Sequence, residues 1–231
     1  MIDAICFDLF HTLIDVGEVP DSVGRYTADV LGLERSVWND SCFSHHHEIR
    51  KPTRHVDVIR TLAHSIDPNI PEHLIEEAVD DRQRRFDYAL TKVKQDVLDV
   101  LEELRANGYK LALISNASTA EVSAWNESPL KNCFDVVVFS CHSGLAKPDA
   151  DIYHLAANKL EVEPQKCLFV GDGGSNEHEG CRNAGMQPML LSYYIASQTE
   201  KLMERRKKVN WELGHINQLP RWLDVFLKKR N

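Results

Sequence analysis

Six polar residues in this 231-residue chain stand where they could do chemistry together. Asp8 follows the apolar run Ala4-Ile5-Cys6-Phe7, and Ser115-Asn116 follows Leu111-Ala112-Leu113-Ile114. Lys147 lies in Gly144-Leu145-Ala146-Lys147-Pro148-Asp149, a few residues after a Val-Val-Val-Phe run. Asp172 and Glu177 follow Leu168-Phe169-Val170 within Gly171-Asp172-Gly173-Gly174-Ser175-Asn176-Glu177. A carboxylate can attack phosphorus or carbon and form a covalent intermediate. If Asp8, Asp172 and Glu177 converge on Lys147, three negative charges meet one positive. Neighbouring carboxylates raise one another's pKa and leave an attacking carboxylate partly protonated. A divalent cation removes that repulsion and stabilises charge on a transferring group. Singly each residue is weak evidence, because a strand-end Asp is often a turn former. The ordered set is specific.

The elements that must position these groups read as alternating strands and helices. Val97, Val100, Leu101 and Leu104 mark one face of a helix opened by Asp96, with Gly108 as its stop. Residues 111–114, 136–139, 168–170 and 189–191 are short apolar runs, and Asp149 caps a helix carrying Ile152, Tyr153, Ala156 and Leu160. This pattern predicts an α/β fold with a doubly wound, mostly parallel sheet covered on both faces. Ligands on such sheets bind at the carboxyl ends of the strands. Residues 16–91 differ. Val23, Tyr26, Thr27, Val30 and Leu31 recur at helical spacing, as do Val56, Ile59, Ala63 and Ile66, and then Ile75, Ala78, Val79, Arg82 and Phe86, with Pro71 in the first turn of the last helix. The expected organisation is a core of residues 1–15 and 92–231 with a helical unit, 16–91, inserted after the first strand. Leu219, Trp222, Leu223 and Phe226 predict a docking helix near the end.

Composition narrows the partners. A hydrophobic fraction of 43% and a charged fraction of 27% fit a globular protein, and a net charge of −8 argues against general nucleic-acid binding. No apolar run approaches about 18 residues, so no membrane span is expected. The six cysteines form no C-x-x-C pair, and with Asp3 ill-suited to a signal peptide they read as reduced thiols in a cytoplasmic protein. Residues 44–52 hold His45, His46 and His47 beside Arg50 and Lys51. Consecutive histidines do not share a helix face, so a zinc site is disfavoured there, while Arg50 or Lys51 could meet an anionic group. The basic runs 205–208 and 228–230 read as solvated helix faces, and Trp125, Trp211 and Trp222 as packing residues.

Segment 7–13, Phe-Asp-Leu-Phe-His-Thr-Leu, resembles the Asp-x-Asp-x-Thr motif of the haloacid dehalogenase-like hydrolases, and the four polar clusters match that family's motifs in order. The resemblance implies a core with an inserted helical cap that closes over the site. It implies Asp8 as nucleophile, Mg²⁺ held by Asp8, the Phe10 carbonyl and Asp172, and phosphoryl oxygens held by Ser115, Asn116 and Lys147. Glu177 stands where the family more often has Asp and would bind metal through water or orient Lys147. Phe10 replaces the second Asp, the family's acid/base. Such help is worth about 10²–10⁴-fold, and a phenyl ring cannot supply it. The adjacent His11 has a suitable ordinary pKa, though a purely local hydrogen bond is the favoured reading of it. The 2-haloacid dehalogenases of the superfamily also carry an aromatic residue at this point but lack the metal-binding Asp that Asp172 matches. The phosphonate-cleaving members use a cap lysine, for which only Lys51 and Lys92 are placed. The expectation is a Mg²⁺-dependent phosphatase acting on a small phosphorylated metabolite, as a monomer or homodimer. A dehalogenase and a weakly catalytic binding protein are the alternatives.

Overall fold

A computed structural model describes residues 2–195 and 199–228. Strands β1 (Ala4–Phe7), β2 (Lys110–Ser115), β3 (Val136–Phe139), β4 (Cys167–Gly171), β5 (Gln187–Leu191) and β6 (Glu212–Leu213) form one parallel sheet in the order β3-β2-β1-β4-β5-β6. Phe7 is in register with Leu113 on one side and Val170 on the other, so β1 is central. Strand residues alternate between two faces. Ile5, Phe7, Leu111, Leu113, Leu168 and Val170 join one core cluster, while Ala4, Cys6, Ala112, Ile114 and Phe169 join another. Both faces are dry, which is why these strands read as unbroken apolar runs.

Helices cover both faces. Helix α5 (Gln95–Ala106) buries Val97, Val100, Leu101 and Leu104 on the first, and α7 (Ala150–Leu160) buries Ile152, Tyr153, Ala156 and Leu160 on the second. The anticipated stop after α5 is present, with Gly108 at φ 87°. Asp149 sits at the N-cap of α7 but makes no cap bond. Its carboxylate is drawn to Arg50 instead, at 2.7 Å. Helix α8 (Glu177–Asn183) packs against β5, and α10 (Leu219–Lys228) docks through Leu219 and Leu223, with Trp222 and Phe226 stacked near Trp211. Lys229 and Arg230 lie outside the described residues.

Between β1 and β2 come α1 (Thr27–Leu31), α2 (Arg35–Cys42), α3 (His55–Ile66) and α4 (Glu72–Thr91), with a cluster of their own around Trp38, Ile59, Leu62 and Ile75. Helix α1 is shorter than the periodicity suggests. Val23 lies outside it and packs on the main core instead. Pro71 precedes α4 as its N-cap rather than entering its first turn. Val19, Ala89 and Leu90 belong to the main core, so the ends of the insertion are rooted in the sheet side. Among the described residues no helix is long and apolar enough to cross a membrane.

Candidate active site

The carboxyl ends of β1 and β4 and the segment that follows β3 bring Asp8, Lys147, Asp172 and Glu177 together in the interior. Each is 1% to 6% exposed. Lys147 Nζ donates to Asp8 Oδ1 and, at 2.6 Å, to Glu177 Oε2. The other Asp8 oxygen accepts from Thr12 Oγ1 at 2.9 Å. That bond depends on a tight turn. Leu13 and Ile14 donate back to the Leu9 carbonyl, and His11 takes a left-handed φ of 59°, which returns Thr12 over Asp8. Glu177 Oε1 accepts the Gly173 N–H at 2.7 Å, and Asp172 Oδ1 the Gly174 N–H at 2.9 Å. Gly171 makes room for that carboxylate, since a Cβ there would stand 2.2 Å from Glu177 Oε1 and force the side chain to shift.

Asn116 has both ends of its amide on Lys147. Its Nδ2 donates to the Lys147 carbonyl and its Oδ1 accepts the Lys147 N–H, each at 2.8 Å. It therefore fixes the lysine loop to the end of β2. Ser115 is fully buried, its Oγ nearest the Asn116 carbonyl at 3.5 Å. Phe10 turns its ring edge-on to Phe86 of α4, centroids 5.3 Å apart, joining core to insertion. His11 lies beside it with Nδ1 2.9 Å from Asp15.

Sequence reasoning misses two residues of this site. Thr12 is the Thr of the Asp-x-Asp-x-Thr pattern in segment 7–13, but the pattern by itself assigns it no role. Arg205 belongs to a basic run expected to be a solvated helix face, and the structure corrects that expectation. Helix α9 (Glu200–Arg206) turns Leu202 and Arg205 inward, and Arg205 Nη1 contacts Asp172 Oδ2 at 2.5 Å and the Asp172 carbonyl at 2.6 Å. The apolar Leu202 three residues earlier is the available hint, a single helical-face neighbour too weak to outweigh four consecutive basic residues.

Electrostatics follow from this geometry. Burial pushes Asp8 upward, opposed by Lys147 and reinforced by Asp172. Burial also pushes Glu177 up to about 8, aided by Asp8 and Asp172 against Lys147. Burial would depress Lys147, but the two carboxylates it touches hold it raised and charged. Three carboxylates face two cations, so the cluster carries surplus negative charge, and that surplus helps raise its carboxyl pKa values. For His11, burial alone would lower the pKa. Its bond to Asp15 overcomes this and raises it, so the imidazole stays charged at higher pH than usual.

Oxygens of Asp8, Asp172 and Glu177 all lie within 4.8 Å of one another, the one such cluster of His, Cys, Asp or Glu ligands among the described residues. An all-oxygen, anionic set suits a hard divalent cation. The histidine triplet is not such a site. His45 and His46 lie with ring centroids 4.0 Å apart and planes tilted by 39°, while His47 turns away to place Nδ1 on the Cys42 carbonyl at 2.8 Å and Nε2 3.5 Å from Glu121. A cavity of about 700 Å³ opens over the carboxylates and is walled by Phe10, His11, Trp38, Phe43, Phe86 and Arg205, among others. Arg50 is taken up by Asp149, Lys51 lies 3.6 Å from Glu48, and neither Lys51 nor Lys92 lines this cavity.

A glyceraldehyde 3-phosphate phosphatase of Methanopyrus kandleri is 26% identical over 198 residues, covering 80% of this chain and 82% of that protein. The fold matches the L-2-haloacid dehalogenase of Xanthobacter autotrophicus with a TM-score of 0.69, at 20% identity, covering 97% of this chain and 99% of that one. It also matches a β-phosphoglucomutase of Clostridium difficile with a TM-score of 0.64, at 21% identity, covering 95% and 93%. The model of the haloacid dehalogenase-like hydrolases matches residues 2–185, and the chain belongs to that family.

Proposed function

We propose that this hydrolase is a Mg²⁺-dependent phosphatase that transfers the phosphoryl group of a small phosphorylated metabolite to Asp8 and then to water. The observation that carries the reading is the buried grouping of Asp8, Asp172 and Glu177 around Lys147 at the strand ends. The phosphatase relative supports phosphorus over carbon–halogen chemistry. Asp8, Asp172 and the Phe10 carbonyl would hold the cation, with Glu177 behind them. When bound, the ion supplies positive charge against the phosphoryl oxygens.

The chain's own residues do the rest. Lys147 and Thr12 fix the two Asp8 oxygens, keep the carboxylate aimed and favour its ionised form against the pull of burial. Asp8 attacks phosphorus, the phosphorus–ester oxygen bond breaks, and the electron pair leaves on that oxygen. Ser115 and Asn116, with Lys147, take the phosphoryl oxygens. His11, charged and held at Nδ1 by Asp15, gives the leaving oxygen the proton that Phe10 cannot. It then accepts a proton from the water that attacks the aspartyl-phosphate, which restores Asp8 and releases phosphate. Residues 16–91 act as the cap and exclude bulk water during the first step.

The test is phosphate release from alkyl and aryl phosphates, with and without Mg²⁺, alongside halide release from 2-haloacids. Mg²⁺-dependent phosphate release that Asp8→Asn abolishes is expected. Metal-independent halide release with no phosphatase activity would overturn the reading. The His11 assignment has its own arm. His11→Gln should cut kcat/KM on an alkyl ester by about 10²–10⁴, yet barely affect p-nitrophenyl phosphate, whose leaving group needs no proton. Equal losses on both would remove His11 as the acid.

A further inference from the structure

The phosphatase chemistry gives Arg205 no task, and a task for it beside the carboxylates rests on the proposed metal site. Arg205 is 8% exposed and comes from α9, beyond the residues 2–185 that match the family. Its stem is wedged against Gly173, where a Cβ would meet Arg205 Cγ at 3.1 Å and Cδ at 3.2 Å. Its Nη1 bridges the carboxylate and the carbonyl of Asp172. Asp172 is also one of the three carboxylates whose oxygens converge. A guanidinium and a divalent cation therefore compete for the same buried carboxylate, and two like charges cannot both sit close to it without repulsion. We propose that Arg205 is a resident counter-cation for Asp172, which neutralises the carboxylate before metal arrives and must yield to it, so that it sets the metal affinity of the site. The same pairing supplies the stability that a cation gives other carboxylate clusters, since removing one partner of a buried pair leaves an uncompensated charge.

Two readouts independent of turnover test this in the full-length chain. In a Mn²⁺ titration followed by the electron paramagnetic resonance of the free ion, Arg205→Gln should bind at least about tenfold tighter than the natural protein, and Arg205→Lys should lie between them. In thermal melts, Arg205→Gln should have a lower Tm than the natural protein in EDTA and a larger rise on adding Mg²⁺. If Arg205→Gln does not fold, Arg205→Lys carries both comparisons. Tight Mn²⁺ binding that the substitution leaves unchanged or weakens would overturn the proposal alone, since Arg205 would then only position Asp172. Absence of Mn²⁺ binding in every form at millimolar concentration would overturn the metal reading with it.

Discussion

Asp8 and Lys147 touch each other, yet their removal should have opposite effects on stability, because the cluster holds more negative than positive charge. Asp8→Asn leaves Asp172 and Glu177 facing Lys147 and Arg205, a balanced set. The variant should lose more than about 10³ in activity while its Tm in metal-free buffer stays level or rises. Lys147→Met instead strands Asp8 and Glu177 in the interior without a cation. That should cost about 3–5 kcal/mol, read by chemical denaturation, and divalent metal should restore part of it. A Tm that falls equally in both variants would contradict the charge count. The same contrast explains what is legible in the linear sequence. Asp8, Asp172 and Lys147 each follow an apolar run, so position alone marks them. Arg205 and the partnership of Asn116 with Lys147 depend on segments far apart in the chain, and no local pattern encodes a contact between them.

Elements position the site through close backbone approaches. Helix α8 presents Gly180 to the lysine loop so tightly that a Cβ would stand 2.1 Å from the Pro148 carbonyl oxygen. Alanine would gain about 1 kcal/mol of helix propensity at that position. It would also push apart two backbones that cannot deform independently, at about 1–3 kcal/mol or more. The steric cost wins. Gly180→Ala should lower Tm and reduce kcat together, because Lys147 precedes the displaced proline. A stabilised, fully active variant would show that the loop moves freely. The strands and the helices α5 and α7 are legible because each buries a regular stripe. Helix α2, with Trp38 its one buried residue, carries no such stripe, and β6 is two residues long. The stretch Ala120–Glu127 winds as a 3₁₀ helix whose period differs from the one that marks α-helices.

At the scale of the whole molecule, the inserted helices meet the core along a buried polar seam. Glu121 of the core lies against Arg82 and His47 of the insertion, and Gln83 donates to the Ala120 carbonyl at 3.0 Å and to Ser123 Oγ at 2.7 Å. His55 belongs to this seam, its Nε2 buried without a hydrogen-bond partner. Burial, followed by the Arg82 charge, pushes its imidazole down to about 4, against weaker support from Glu121 and Gln83 and a further push from His47. The sign follows from proton counting. Between about pH 6.5, where the unfolded chain takes up this proton, and about pH 4, where the folded one does, the unfolded state binds more protons. The stability is complete above pH 6.5 and drains away as pH falls through that window. A depression from 6.5 to about 4 corresponds to about 3 kcal/mol. His55→Leu has no proton to take up. The stability difference between the natural protein and this variant, followed by urea denaturation from pH 7.5 to 4.5, should therefore swing toward the variant by about that amount, while carboxylates common to both cancel. A difference that stays flat across the range would mean that the seam opens to water and that His55 titrates as an exposed histidine does.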